Sequence, residues 1–317
     1  VCDAYGKMKW PSVLLVVPLF LTLVGVSLIQ ILSLELVHSP DVTSTRPLSV
    51  ERRKLSEARI EEEVPRRRPP NVLLIGVRKG GTRALLDAIA LHPQVKAARK
   101  EMHYFDDDSN YAKGEEWYGE QMPASRNGQI VIEKTPAYFT NPSVPERVFN
   151  LDPEMRMILI VREPVTRAIS DFTQINKSLP VLEELAFNEK KEIDLAYKPV
   201  RNSLYSVHLD RWLKFFPLRQ FVILDGEAFA KDPLSQLRLV ESFLTLPFLI
   251  SPDQLVFNRT KGFYCFRRSI TAKTRCLGRS KGRPHRKVAE FAKQRLGKLL
   301  EPYNRRFYRM TNRVFNW

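Results

Sequence analysis

From Asn71 onward the chain alternates between short apolar runs and longer amphipathic stretches. Four runs stand out: NVLLIGV (71–77), IVIEK (130–134), MRMILIV (155–161) and QFVILD (220–225). They are apolar at consecutive positions rather than at every second one. That fits strands of a parallel sheet covered by helices on both faces. Between them, apolar residues recur at helical spacing. Leu85, Leu86 and Ile89 share one side of a helix expected over 82–91, and further helices are expected over 165–174 and 204–215. Strands alternating with helices predict an α/β domain with its functional site at the carboxyl ends of the strands. The C-terminal region reads as an aromatic-basic loop (257–287), a helix (288–301) and a final segment.

The pattern upstream is different. Trp10 to Leu34 contains no charged residue over 25 positions, enough to cross a hydrocarbon core of about 30 Å. Lys7 and Lys9 precede this run and Glu35 follows it. The positive-inside rule then keeps the N-terminus cytoplasmic and sends the bulk of the chain into a lumen. A cleaved signal peptide is the rival reading, but its apolar region spans about 7–15 residues and ends in small residues. This run is longer, and Glu35-Leu36-Val37 makes a poor cleavage site. Residues 38–70 are polar, carry the blocks ERRK, EEE and RRR, and end in Pro69-Pro70, as a stem does. The expected organisation is a cytoplasmic tail (1–9), a transmembrane signal anchor (10–37), a luminal stem (38–70) and one globular domain (71–317).

Charge sharpens the picture. The formal net charge is +16. Asn258 to Trp317 hold 18 Lys/Arg against two Asp/Glu, while the rest of the chain has 33 of each. An excess so concentrated implies an anionic partner, and composition alone leaves open nucleic acid, acidic lipid, a polyanionic sugar or a phosphorylated cofactor. Nucleic acid fits the charge but not a luminal address. Of the three cysteines, Cys2 precedes the anchor, whereas Cys265 and Cys276 lie on the luminal side, where an oxidising compartment favours a disulfide between them. Asn176-Lys177-Ser178 and Asn258-Arg259-Thr260 match the N-glycosylation acceptor pattern.

The first apolar run ends in a turn built from Arg78, Lys79, Gly80, Gly81, Thr82 and Arg83, and a helical pattern follows at once. Backbone N–H groups at a helix start point outward and carry about half a positive charge. Two glycines let an anion approach the backbone, the cations add full charges, and Thr82 adds a hydroxyl. The turn therefore reads as a phosphate or sulfate cradle. It is not a Walker A sequence, because Lys79 precedes the glycine pair. A second anion site is expected after the third run, where LIVREPVTRAIS puts Arg162 at the strand end and Ser170 on the next helix.

Six segments occur in order: IGVRKGGTRALL, EMHYFD, EKTPAYF, VREPVTRAISD, KGFYC and SKGRPH. Together they resemble the heparan sulfate glucosamine 3-O-sulfotransferases, in particular the isoform 5 and isoform 1 types, over residues 71–317. The resemblance implies a P-loop-kinase-like sulfotransferase fold, a central parallel sheet flanked by helices. It implies 3′-phosphoadenosine 5′-phosphosulfate (PAPS) as sulfuryl donor, heparan sulfate as acceptor, no metal, and a Golgi membrane enzyme of single-pass type II topology. It assigns the 5′-phosphosulfate to Lys79 through Arg83, the 3′-phosphate to Arg162 and Ser170, and further donor contacts to Arg78, Tyr264, Lys281, Gly282 and Arg283. Glu101 matches the catalytic carboxylate, His103 and Asp106 the neighbouring residues that orient the base or the acceptor, and Lys134 a cation near the transferred group.

A sugar hydroxyl must lose its proton as it attacks sulfur, so a base within hydrogen-bond reach is required. Read as a strand, the segment after Lys100 would put Glu101 and His103 on one face. Lys79 and Lys134 would stabilise charge that grows in the transition state. Arg83 and Arg268, with Arg267 and Lys273 beside it, are candidates for holding the sulfated acceptor. Two other readings stay open at this point. One is a phosphotransferase in which Asp225 ends a magnesium-holding strand, and the other is a polyanion-binding module without catalysis.

Overall fold

The apolar run after Asn71 forms the central strand of a five-stranded parallel sheet. The computed structural model describes residues 64–175, 186, 192–278 and 288–317. The expected tail and anchor, most of the stem, Asn176, and Lys281, Gly282 and Arg283 lie outside these residues. In chain order the elements are β1 (Val72–Gly76), α1 (Thr82–Ile89), β2 (Val95–Ala97), α2 (Asp108–Tyr111), α3 (Gly114–Glu120), β3 (Ile130–Lys134), α4 (Val144–Leu151), β4 (Arg156–Val161) and α5 (Pro164–Ile175). They continue with α6 (Lys198–Arg201), α7 (Tyr205–Trp212), β5 (Phe221–Asp225), α8 (Gly226–Lys231), α9 (Pro233–Phe243), β6 (Leu255–Asn258), β7 (Phe263–Phe266) and α10 (Glu290–Thr311). The sheet order is β2-β3-β1-β4-β5, and all four pairings are parallel.

Successive residues of a strand point to opposite faces, and β1 buries both. Leu73 and Ile75 join Val131, Met157, Leu159, Tyr205 and Phe307 in one core. Val72 and Leu74 join Ile132, Ile158, Ile160, Leu85 and Leu237 in the other. This double burial is why the strands read as continuous apolar runs. The parallel pairing puts the carboxyl ends of β1 to β5 on one edge of this sheet, where β1 opens into the basic turn and β4 into Arg162.

Four differences from the sequence expectation have physical causes. β2 is a three-residue edge strand, VKA, with one fully buried position, so it carries no apolar run to read. The expected loop over 257–287 begins instead within an antiparallel hairpin, with Val256 opposite Cys265. The Cys265–Cys276 disulfide closes the strand that follows. The last helix does not stop before Pro302 but runs on to Thr311. Both Lys298 and Pro302 face solvent, so the Lys298 carbonyl that proline leaves without a helical donor is not buried. Finally, the residues after Lys100 are not a strand. His103 adopts φ 50, the left-handed region, and the segment is held by side chains instead of a ladder.

Residues 66–68, which the sequence pattern assigns to the stem, are fastened to the domain. Arg66 and Ser125 exchange two backbone hydrogen bonds of 3.0 and 2.9 Å. Arg68 donates to Ser125 Oγ and to the Gln129 carbonyl.

Candidate active site

The turn after β1 is shaped by what lies beneath it. Gly81 caps α1 at φ 102 and Lys79 also sits at positive φ, 74. A Cβ on Gly80 would lie 2.5 Å from the Ile160 carbonyl oxygen, so only glycine lets the turn rest on β4. The first intrahelical bond runs from Leu85 N to the Gly81 carbonyl at 3.0 Å. The amides of Thr82, Arg83 and Ala84 thus have no helical acceptor behind them. Such a cluster of outward amides is a ready anion site.

The two cations of the turn are placed differently. Lys79 Nζ donates to Gln174 Oε1 at 2.9 Å, on the exposed last turn of α5. Arg78 Nε donates to Asp171 Oδ1 at 2.6 Å. Asp171 is buried, and its second oxygen accepts from Arg167 Nη1 at 3.0 Å. Burial alone would raise this carboxyl, but the Arg167 and Arg78 guanidiniums override it and hold it below the usual carboxylate range. Arg167 is wholly buried and also donates to Ser203 Oγ, the Pro199 carbonyl and, at 3.3 Å, the carbonyl of Arg78. Arg78 is therefore as much a strut of the turn as a lining cation.

Glu101, His103, Asp106 and Lys134 form one continuous chain of contacts. Lys134 ends β3 level with Leu74 of β1. Its ammonium is buried and donates to Glu101 Oε1, whose carboxylate is 43% exposed. Glu101 Oε2 lies 3.7 Å from His103 Nε2, and His103 Nδ1 is 2.9 Å from Asp106 Oδ2. An acceptor-only carboxylate at Nδ1 fixes the proton there and the ring with it. Arg83 donates to the Arg99 carbonyl at 2.9 Å and pairs with Asp87. That contact ties the start of α1 to the chain leading into Glu101.

The remaining candidates border this centre or stand apart. Arg162 directly follows β4, and its Nε is 3.4 Å from Glu227 Oε1. Burial raises the Glu227 carboxyl and Arg162 pulls it part of the way back. Ser170 is buried on α5, next to Asp171. Tyr264 lies on β7, its hydroxyl 3.4 Å from the Lys231 carbonyl at the end of α8. The backbone of Arg268 accepts from Gln254 at 2.9 Å, and Arg267 donates to the Asp253 carbonyl at 2.6 Å. Asn258 ends β6, where its Oδ1 accepts from Lys261 N. Asp225, the candidate metal-holding strand end, instead caps α8: its Oδ1 accepts from Glu227 N and Ala228 N at 2.8 and 3.0 Å.

Several residues that shape the site were not legible in the sequence. Asp171 and Arg167 lie inside a recognised motif, and their i, i+4 spacing on a helix was the available signal. Glu133 is fully buried next to Lys134 and resembles any strand residue until its partners are seen.

Comparison with known proteins identifies the family. Residues 69–309 match the sulfotransferase domain family. The crystal structure of a sulfotransferase from Alicyclobacillus acidocaldarius shares the fold with a TM-score of 0.59 at 19% identity, over 78% of this chain and 97% of that one. The fold is that of a sulfotransferase. In sequence the chain is 49% identical over 256 residues to heparan sulfate glucosamine 3-O-sulfotransferase 5 of Mus musculus, 78% of this chain and 74% of that protein. It is 44% identical over 257 residues to heparan sulfate glucosamine 3-O-sulfotransferase 6 of Mus musculus, 80% of this chain and 75% of that protein. The chain belongs to the heparan sulfate glucosamine 3-O-sulfotransferase family.

Proposed function

We propose that this protein transfers a sulfuryl group from PAPS to the 3-hydroxyl of glucosamine residues in heparan sulfate. The observation that carries the reading is a juxtaposition on neighbouring strands. β1 ends in an anion-binding turn, and β3, paired to it, ends in Lys134, which holds Glu101.

The residues present fit the donor's chemistry. Outward amides at 82–84, Lys79 and the Thr82 hydroxyl suit a phosphosulfate, and Arg162 with Ser170 suits a second phosphate. Tyr264, and Lys281, Gly282 and Arg283 beyond the described residues, are proposed to complete the donor site. When bound, the donor supplies an electrophilic sulfur and a phosphate leaving group. Lys79 and the turn amides oppose the charge that grows on the departing oxygen. Glu101, half open to solvent beside the site, takes the proton of the attacking hydroxyl. Asp106 holds the His103 ring beside Glu101, and Lys134 fixes Oε1 of Glu101. Arg83 and Arg268 are proposed contacts for the sulfated polysaccharide, an extended anion that an open basic surface suits.

Glu101→Gln keeps size and removes the base. Heparan sulfate binding is expected to stay near wild type while transfer, read by disaccharide analysis with labelled donor, falls at least about a hundredfold. Unchanged transfer would remove Glu101 from the mechanism. The charge-free run at 10–34, flanked by Lys7 and Lys9, supports a Golgi membrane anchor with the domain in the lumen, where Asn176 and Asn258 are proposed glycosylation sites.

A further inference from the structure

His103 stands in a backbone conformation that few residues other than glycine adopt, although histidine is among the more tolerant. Nothing in its own segment holds it there by a strand ladder. The holding groups come from residues 133–138. Three consecutive amides of the base-bearing loop each meet a side chain of that short stretch. Met102 N donates to Glu133 Oε1 at 3.2 Å, His103 N to Thr135 Oγ1 at 3.4 Å, and Tyr104 N to Tyr138 Oη at 3.0 Å. Glu133, Thr135 and Tyr138 are all fully buried. Thr135 Oγ1 in turn donates to Glu133 Oε1 at 2.6 Å, and the Tyr118 hydroxyl donates to Glu133 Oε2 at 3.3 Å. From the solvent side, Asn110 Nδ2 donates to the carbonyls of Met102 and His103, 3.3 Å each.

The side chains of 133–138 thus do for this loop what a neighbouring strand does for a strand, with a spacing a regular ladder would not allow. The result aims the His103 ring between Glu101 and Asp106. Thr135 is central, because one hydroxyl accepts from His103 and donates to Glu133. We infer that Thr135, backed by Glu133, is a positioning residue for proton removal: it acts through His103 to set Glu101 against the acceptor hydroxyl. The inference rests on the proposed role of Glu101, and a misplacement of that base by about 1 Å is enough to slow turnover by one to two orders of magnitude.

The test compares Thr135→Val, which keeps shape and deletes the hydroxyl, with Thr135→Ser, which keeps the hydroxyl. Steady-state transfer to heparan sulfate is measured alongside melting temperature, in wild-type and His103→Ala backgrounds. Thr135→Val is expected to lower kcat about tenfold with both KM values within about twofold, and Thr135→Ser to restore most of it. In His103→Ala the same change is expected to cost less than about twofold, because its route of action is gone. Wild-type turnover in Thr135→Val, or a tenfold loss that persists undiminished without His103, overturns the proposal. Thr135→Ala, which adds no volume, repeats the comparison, and a loss of turnover that tracks a loss of melting temperature in both variants also overturns it. Glu101→Gln runs in parallel. If that variant keeps transfer, the base assignment fails; if it loses transfer while Thr135→Val is silent, only this inference fails.

Discussion

His208 makes the stability of this domain sensitive to mild acid. It sits on α7, 2% exposed, with its ring edge-on to Phe139 at 5.6 Å. Nε2 lies 2.9 Å from the Arg201 carbonyl, so that nitrogen carries the proton, and Nδ1 is buried without a partner among the described residues. Burial is the main cause that lowers its pKa from 6.5 to about 4; the Arg201 carbonyl opposes this, and Arg211, Arg167 and Arg201 add to it. The folded-state value lies below the unfolded one. The stability held by the neutral ring is therefore fully present above 6.5 and is lost as the pH falls toward 4. At about 1.36 kcal/mol per unit, the whole effect is about 3 kcal/mol. About 2 kcal/mol of it appears between about pH 7.5 and about pH 5. Glu133 and Glu227, raised by burial, contribute with the opposite sign, so the total slope alone does not isolate the histidine. His208→Gln keeps a donor for the Arg201 carbonyl and cannot titrate. Urea unfolding of both proteins across this pH range should give curves that converge on acidification by about 2 kcal/mol. Parallel curves would refute the reasoning, whatever the offset between them.

Two further outcomes follow from the fold and its proposed setting. Gly80→Ala drives a Cβ to 2.5 Å from the Ile160 carbonyl and 2.9 Å from Val77 Cγ2, so the turn must lift from β4. Calorimetric binding of adenosine 3′,5′-bisphosphate should weaken at least about tenfold, and undiminished affinity would deny the turn its role. If residues 10–37 anchor the chain with its domain in the lumen, protease added to sealed microsomes should spare the domain until detergent is present.

The strands at 72–76, 130–134, 156–161 and 221–225 and the basic turn were legible in the linear pattern because they rest on local causes. Double burial writes itself as a continuous apolar run, and a glycine pair between cations marks a backbone that must approach an anion. The motifs likewise named Glu101, His103, Asp106 and Lys134. What the chain order could not convey is anything decided by groups far apart in it. β2 exists because Val95–Ala97 meets the edge of β3, and α10 passes Pro302 because that side of the helix is wet. Arg78 serves as a strut because Asp171, 93 residues on, is buried beneath it. His103 points at Glu101 not by strand alternation but because hydroxyls and a carboxylate from 133–138 take up its loop's amides. Sequence determined which chemistry this protein carries; the packing of β3 against the loop decided where that chemistry points, since hydrogen bonds between distant residues form only once the sheet has brought them together.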